Sequence, residues 1–164
     1  MKNFYRTDEW NIIEEEFHPE INRESESVFS IGNGYMGQRA NFEEEYSGDS
    51  LPGNYIAGVY YPDKTKVGWW KNGYPEYFAK VPNAPKWIGI DISVNGIPID
   101  MATSRITSFK RTLNMKEGFL DTCFKVIVSG DKKLEINSRR FLSMSEPDIG
   151  IIRYSVKSID FEGV

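Results

Sequence analysis

The sequence predicts an all-β protein, an antiparallel β-sandwich, on three observations. Apolar residues recur with period two in segment after segment, the spacing of strands that bury one face. Gly, Pro, Asn and Asp, the residues of tight turns, separate those short segments. No stretch shows a convincing helical repeat, so helices are not expected.

Taken along the chain, residues 10–17 and 27–31 read as the first two strands, followed by a strand at 55–61. The clearest hairpin is Ile88, Ile90, Ile92 and Val94, then Asn95-Gly96, then Ile97 and Ile99. An Asn-Gly pair suits a two-residue turn because both positions need positive φ. It pairs Val94 with Ile97 and Ile92 with Ile99, all on one face, and Pro98 then marks an edge or a bulge. Residues 104–114 form the next strand. A second hairpin turns at 130–132, pairing Val128 with Leu134 and Val126 with Ile136, because a one-residue slip would turn every side chain over. Residues 149–157 form the last strand. The stretch 43–85 is rich in Gly, Pro, Asp and Asn yet dense in aromatics, and reads as one strand plus ordered loops.

Composition narrows the function. The chain has 164 residues, 40% hydrophobic and 27% charged, with a formal net charge of -4. That describes one globular domain able to bury a core. It speaks against nucleic acid, which needs clustered Lys and Arg. No apolar run nears the ~20 residues of a membrane span, and residues 1–8 lack the apolar centre of a signal peptide. Cytoplasmic residence is the expectation. The single Cys123 cannot form an internal disulfide and is expected as a buried, inert thiol. One His and one Cys leave no set of nitrogen and sulfur ligands for zinc, and no metal is expected. The acidic runs 14–16 and 43–45 lack calcium-loop spacing and read as solvated faces.

One motif points two ways. Gly32, Gly34 and Gly37 form G-x-G-x-x-G after an expected strand, the pattern of a dinucleotide-binding turn. That chemistry requires a helix to follow, because the pyrophosphate sits on its N-terminus. Tyr35 and Met36 crowd the turn, and no strand–helix–strand unit comes after it. The dinucleotide reading is therefore set aside. Sugars, by contrast, present C–H faces as well as hydroxyls, which aromatic rings beside Asn and Lys suit. Trp69, Trp70, Lys71, Asn72 and Tyr74 have that character and are the candidate substrate-proximal residues. Adjacent Trp residues on an extended chain face opposite ways, so packing against a core or a neighbouring domain is the competing reading. Glu43, Glu44, Glu45, Glu76 and Asp91 are not distinguished as catalytic acids by their spacing, and no catalytic residue is assigned.

Five segments together resemble a known family. They are Asn33-Gly34-Tyr35-x-Gly37-x-Arg39, Tyr55-Ile56-Ala57-Gly58-Val59-Tyr60, Asn83-Ala84-Pro85-Lys86-Trp87, Arg140-Phe141-Leu142-Ser143-Met144 and Val67-Gly68-Trp69-Trp70-Lys71-Asn72-Gly73-Tyr74-Pro75. Together they resemble the N-terminal domain of glycoside hydrolase family 65, the inverting disaccharide phosphorylases, and the 67–75 segment, which lies between the others in the chain, looks most like the maltose phosphorylase branch. The resemblance implies that residues 1–164 are an N-terminal β-sandwich domain, part of a larger supersandwich and truncated on its C-terminal side. It implies a catalytic (α/α)6 barrel elsewhere, holding the general acid and the phosphate site, with no cofactor. The implied parent reaction turns maltose and phosphate into β-glucose 1-phosphate and glucose. The implied partners are that barrel, the disaccharide and phosphate, and a second copy in a homodimer. Kojibiose, nigerose and trehalose phosphorylases remain alternatives, as does a stand-alone carbohydrate-binding sandwich. An incomplete sandwich leaves unpaired strand edges, so the isolated chain is expected to self-associate.

Overall fold

Alternation is most regular in residues 119–127, where Leu120, Thr122, Phe124 and Val126 are buried and the residues between them are half-buried. Such a strand needs cover on one face only, and the rest of the fold supplies it. The structure is a computed structural model describing residues 4–65, 75–128, 130 and 132–162. Its elements in order are β1 (Arg6–Thr7), β2 (Asn11–Glu14), a 3-10 turn (Pro19–Ile21), α1 (Asn22–Val28), β3 (Ile31–Gly32), β4 (Met36–Gln38), β5 (Asn54–Ile56), β6 (Tyr61–Lys64), β7 (Tyr77–Lys80), β8 (Ser93–Val94), β9 (Ile97–Pro98), β10 (Arg105–Asn114), β11 (Phe119–Ile127), β12 (Lys133–Leu142) and β13 (Gly150–Ser158).

A six-stranded antiparallel sheet, ordered β1-β2-β10-β11-β12-β13, forms one layer. Short ribbons and loops form the other: β3-β4-β5, β6-β7 and β8-β9. The fold is all-β and antiparallel, as expected. Between the layers lie two apolar clusters. Phe42, Val94, Ile99, Met101, Phe109, Phe124, Val126, Leu134 and Ile136 make the first. Phe29, Ile31, Ala40, Leu113, Leu120 and Leu142 make the second. Fully burying each large side chain contributes about 1.5–3 kcal/mol. Between the clusters, Arg111, Thr122 and Ser138 stand in one row across three strands, with Arg140 one step beyond. All four are buried, so a polar belt divides the core.

Several elements match expectation closely. β10 and β13 fall within a residue of the predicted strands, and the Asn95-Gly96 turn has positive φ at both residues, 52° and 79°. Val94 pairs with Ile97, and the Ile99 amide donates to the Ile92 carbonyl at 2.9 Å. Ile97 nevertheless faces solvent. The 124–136 hairpin differs: Val126 pairs with Leu134 and Phe124 with Ile136. The loop is placed one residue earlier than expected and closed by Val128 N–H donating to Lys132 O at 2.8 Å, with Gly130 at φ 67°. Moving a pairing by an even number of residues keeps each side chain on its face, which is why the inward set was still read correctly.

Other expectations need correction. Residues 22–28 are a helix, and of the predicted 27–31 strand only Ile31 is extended, as the first residue of β3. The buried stripe of α1 is Asn22, Ser25 and Glu26, followed by Phe29. These are positions i, i+3, i+4 and i+7 of a helix, but three of the four are polar, so no hydrophobic periodicity betrays it. The 43–85 region holds three strands, β5, β6 and β7, rather than one. Cys123 is not in the core: it lies on the half-exposed face of β11, opposite to Thr122 and Phe124.

Candidate functional site

The polar belt is where the sequence and the structure diverge most. Glu14 and Glu43, expected on solvated faces, are buried, as is Glu44; Glu45 alone of the 43–45 run is exposed. β2 presents Glu14 to β10, where its Oε2 lies 3.6 Å from Arg111 Nη1, while Ser25 of α1 donates its hydroxyl to Glu14 Oε1 at 2.7 Å. The Arg111 guanidinium is packed among the rings of Phe42, Phe109 and Phe29, at 4.7, 5.3 and 5.7 Å from their centroids. Arg140 of β12 pairs with Glu43 at 3.3 Å and donates to Asn41 O at 3.1 Å. Ser138 donates its hydroxyl to the other Glu43 oxygen at 3.3 Å. From α1, Glu26 accepts from Asn22 Nδ2, from Ser50 Oγ and from the Leu51 amide.

Glu44 stands apart. Tyr154 of β13 donates its phenolic hydroxyl to Glu44 Oε1. Burial, reinforced by the neighbouring Glu43 charge, pushes the Glu44 carboxyl up from 4.5 to about 7, against the pull of the Tyr154 hydrogen bond and Arg140. The Tyr154 phenol is pushed upward by the same burial and by the Glu44 charge. A carboxyl titrating near neutrality is the property of a general acid. Here, however, the group that bonds it is the Tyr154 hydroxyl of the same domain. Arg111 is enclosed by three aromatic rings and Arg140 by Glu43 and the Asn41 carbonyl, and at 1% exposure neither guanidinium faces a solvent-borne phosphate. Chemically, the belt can fix register and lock layers together; its serine hydroxyls, Ser25 on Glu14 and Ser138 on Glu43, are buried away from solvent.

The remaining sequence candidates are dispersed. His18 sits between Glu16 and Glu20 at 3.6 and 3.4 Å, edge-on to Phe4. Burial raises the Cys123 thiol, which disfavours the reactive thiolate. Among the described residues no group of three His, Cys, Asp or Glu is arranged to hold a metal. Glu76 and Asp91 are exposed. Trp69, Trp70, Lys71, Asn72 and Tyr74 lie outside the described residues.

The glycine motif forms a β3–β4 hairpin and not a nucleotide turn. Asn33 Oδ1 accepts from the Tyr35 and Met36 amides at 3.0 and 2.7 Å, and Gly34 takes φ 86°. Asn33 Nδ2 donates to Ser143 O and Pro147 O at 2.7 and 2.9 Å, clipping the hairpin to the loop after β12. The 83–87 segment is a second clip. Asn83 Oδ1 accepts from the Asn54 amide, Ala84 N–H donates to Asn54 O, and Asn54 Nδ2 donates to Pro85 O. Trp87 stacks where a Cβ on Gly150 would intrude to 2.6 Å. The motif residues described here thus hold layers together.

Comparison with known proteins shows the family. Residues 12–164 match the glycosyl hydrolase family 65 N-terminal domain. The chain is 48% identical to maltose phosphorylase of Bacillus subtilis over 163 residues, covering 99% of this chain and 21% of that protein. It is 30% identical to kojibiose phosphorylase of Thermoanaerobacter brockii, covering all of this chain and 20% of the relative. A solved structure described as a kojibiose phosphorylase from the human microbiome superposes with TM-score 0.86 at 30% identity, over 94% of this chain and 20% of that one. The chain spans about a fifth of the length of these relatives. By sequence and by fold, this chain belongs to glycosyl hydrolase family 65, as its N-terminal domain.

Proposed function

We propose that this domain serves, without catalytic residues of its own, in an inverting α-glucoside phosphorylase that converts maltose and phosphate to β-glucose 1-phosphate and glucose. The carrying observation is 48% identity to a maltose phosphorylase across 99% of the chain, against 30% to a kojibiose phosphorylase. Both relatives are about five times as long, which leaves room for a separate catalytic (α/α)6 barrel supplying the general acid and the phosphate site. The buried belt supports a scaffold role, because Arg111 and Arg140, each 1% exposed, face carboxylates of this same domain and not solvent. The domain then braces the barrel, takes part in a homodimer, and reaches the sugar site through residues 69–74. The reaction needs no cofactor, and the enzyme works in the cytoplasm.

The test joins this domain to its full-length enzyme and follows phosphate-dependent release of glucose from maltose, kojibiose, nigerose and trehalose. Preferential cleavage of maltose supports the reading, and preference for another disaccharide replaces it. Trp69→Ala and Trp70→Ala in that enzyme should raise KM for maltose several-fold with kcat little changed, the signature of lost ground-state binding. Unchanged kinetics with a lowered melting temperature would assign those residues to packing. Maltose binding by the isolated 164-residue chain would favour the stand-alone carbohydrate-binding module.

A further inference from the structure

The outer face of the large sheet, away from the belt and the core, carries a polar groove of about 370 Å3 across β11, β12 and β13. Strand register sets its shape. Cys123, Asn137 and Ser155 stand opposite one another and make a floor of short side chains. The row Asp121, Arg139 and Arg153 makes one wall, and the next row, Lys125, Glu135 and Lys157, borders the floor on its other side. Each row holds two cations and one acid, and each acid is already engaged. Asp121 accepts two hydrogen bonds from Arg139, both at 2.7 Å, and that guanidinium lies over the Phe119 ring at 3.9 Å from its centroid. Glu135 pairs with Lys125 at 3.5 Å. Arg153 and Lys157, both exposed on β13, form no ion pair among the described residues.

Register places Arg153 directly opposite Arg139, and like charges on facing positions are unfavourable without a counter-charge. Lys110 of β10 continues the floor row beyond Cys123, so this patch is basic in a chain of net charge -4. Ser155 lies between Arg153 and Lys157, with Asn137 beside it, and neither side chain hydrogen-bonds to another described residue. Unlike the guanidiniums of the belt, Arg153, Ser155 and Lys157 are open to solvent and within reach of an incoming molecule. Four residues of extended strand put the two cations about 13 Å apart at Cα, a gap that long side chains close by leaning inward over Ser155. A phosphate group brings a charge of about -1.5 to -2 and three acceptor oxygens, which answers two cations and two neutral donors. A carboxylate brings one charge and two oxygens. We infer that this groove binds a small oxyanion of the phosphate class between Arg153 and Lys157, with the Ser155 hydroxyl and the Asn137 amide donating to it. The floor toward Cys123 leaves room for an organic remainder. The inference stands on this face alone and does not depend on the proposed parent reaction.

The test titrates the 164-residue chain at low ionic strength with inorganic phosphate, with D-glucose 1-phosphate and with acetate, followed by calorimetry and by backbone amide shifts in NMR. Saturable one-to-one binding of a phosphate probe is expected, with a millimolar or tighter dissociation constant and the shifts centred on residues 137 and 153–157. Equal affinity for the two phosphates identifies free phosphate as the ligand, and tighter binding of D-glucose 1-phosphate identifies an ester whose organic part lies along the floor. Arg153→Gln and Lys157→Gln, both at exposed positions, should each weaken binding about tenfold, the loss of one charged hydrogen bond. Ser155→Ala should weaken it several-fold. Arg105→Gln removes the same charge from the start of β10, on the same face but outside the groove, and should leave binding unchanged. Absence of saturable binding by both phosphates overturns the inference, as does acetate binding equally well. A loss on Arg105→Gln as large as that on Arg153→Gln also overturns it, since the groove would then attract an adventitious ion only.

Discussion

Glu44 gives the domain a pH dependence whose sign follows from its surroundings. Its folded carboxyl titrates near 7 and its unfolded one near 4.5, so folding holds its proton more tightly. The stability it allows is complete below about pH 4.5 and is lost as pH rises to about 7, a difference of about 3 kcal/mol. Glu44→Gln keeps an acceptor for Tyr154 and removes the titration. Urea unfolding at pH 5 and pH 8 should show the wild-type chain losing stability relative to this variant, and parallel curves would refute the assignment. The Glu14–Arg111 pair acts through a different balance. Removing one member of a buried pair strands the other, at a cost of about 3–5 kcal/mol. Arg111→Met should therefore destabilise severely, and Glu14→Met with Arg111→Met together should recover most of the loss. A double variant no more stable than the single one would show that ring packing around Arg111, and not charge, dominates. None of this was legible in the sequence. Acidic runs ordinarily mark solvated faces, and the arginines that bury Glu14 and Glu43 come from β10 and β12, far along the chain.

At the scale of elements, the β3–β4 hairpin shows how one side chain governs a tertiary contact. Asn33 accepts two amides of its own turn and donates to two carbonyls of the 143–147 loop. Asn33→Ala should cost about 2–3 kcal/mol, since each net hydrogen bond contributes about 0.5–1.5 kcal/mol and the stranded groups are only partly buried. Gly34 has φ 86° and open space around its missing Cβ, so Gly34→Ala isolates the backbone penalty of about 1–2 kcal/mol. Thermal melts of the two variants should rank them in that order, and the reverse order would mean the loop clip contributes little. The long strands were readable because β10, β11 and β12 each bury alternate side chains, the periodic signal a sequence can carry. Helix α1 was not, because its inward stripe of Asn22, Ser25 and Glu26 answers the charged belt and not an apolar core. The short ribbons β6 and β7 were missed for a related reason: their residues are largely exposed on both faces, so no alternation marks them.

For the whole molecule, the informative asymmetry is at the two ends of the large sheet. At one end β1 is two residues long, too short to template another strand. At the other, β13 runs for nine residues and pairs only with β12 among the described residues. Ile151 and Val156 on it are 41% and 47% exposed, and Ile149 and Ile159 flank it at 44% each. A long, apolar, unpaired edge is a template for pairing with a further strand. In the isolated chain the available strand is that of a second copy, and antiparallel pairing would bring two sets of Arg153 and Lys157 close together. That repulsion weakens as salt screens it over a Debye length of about 10 Å at 0.1 M. Association followed by light scattering should therefore rise with protein concentration and also with salt. Ile151→Lys with Val156→Lys should abolish it by adding charge to the edge. Tyr61→Ser, on the exposed β6–β7 ribbon, should leave it intact. A chain that stays monomeric throughout, or one whose association responds to Tyr61→Ser and ignores the β13 substitutions, would remove β13 as the adhesive edge.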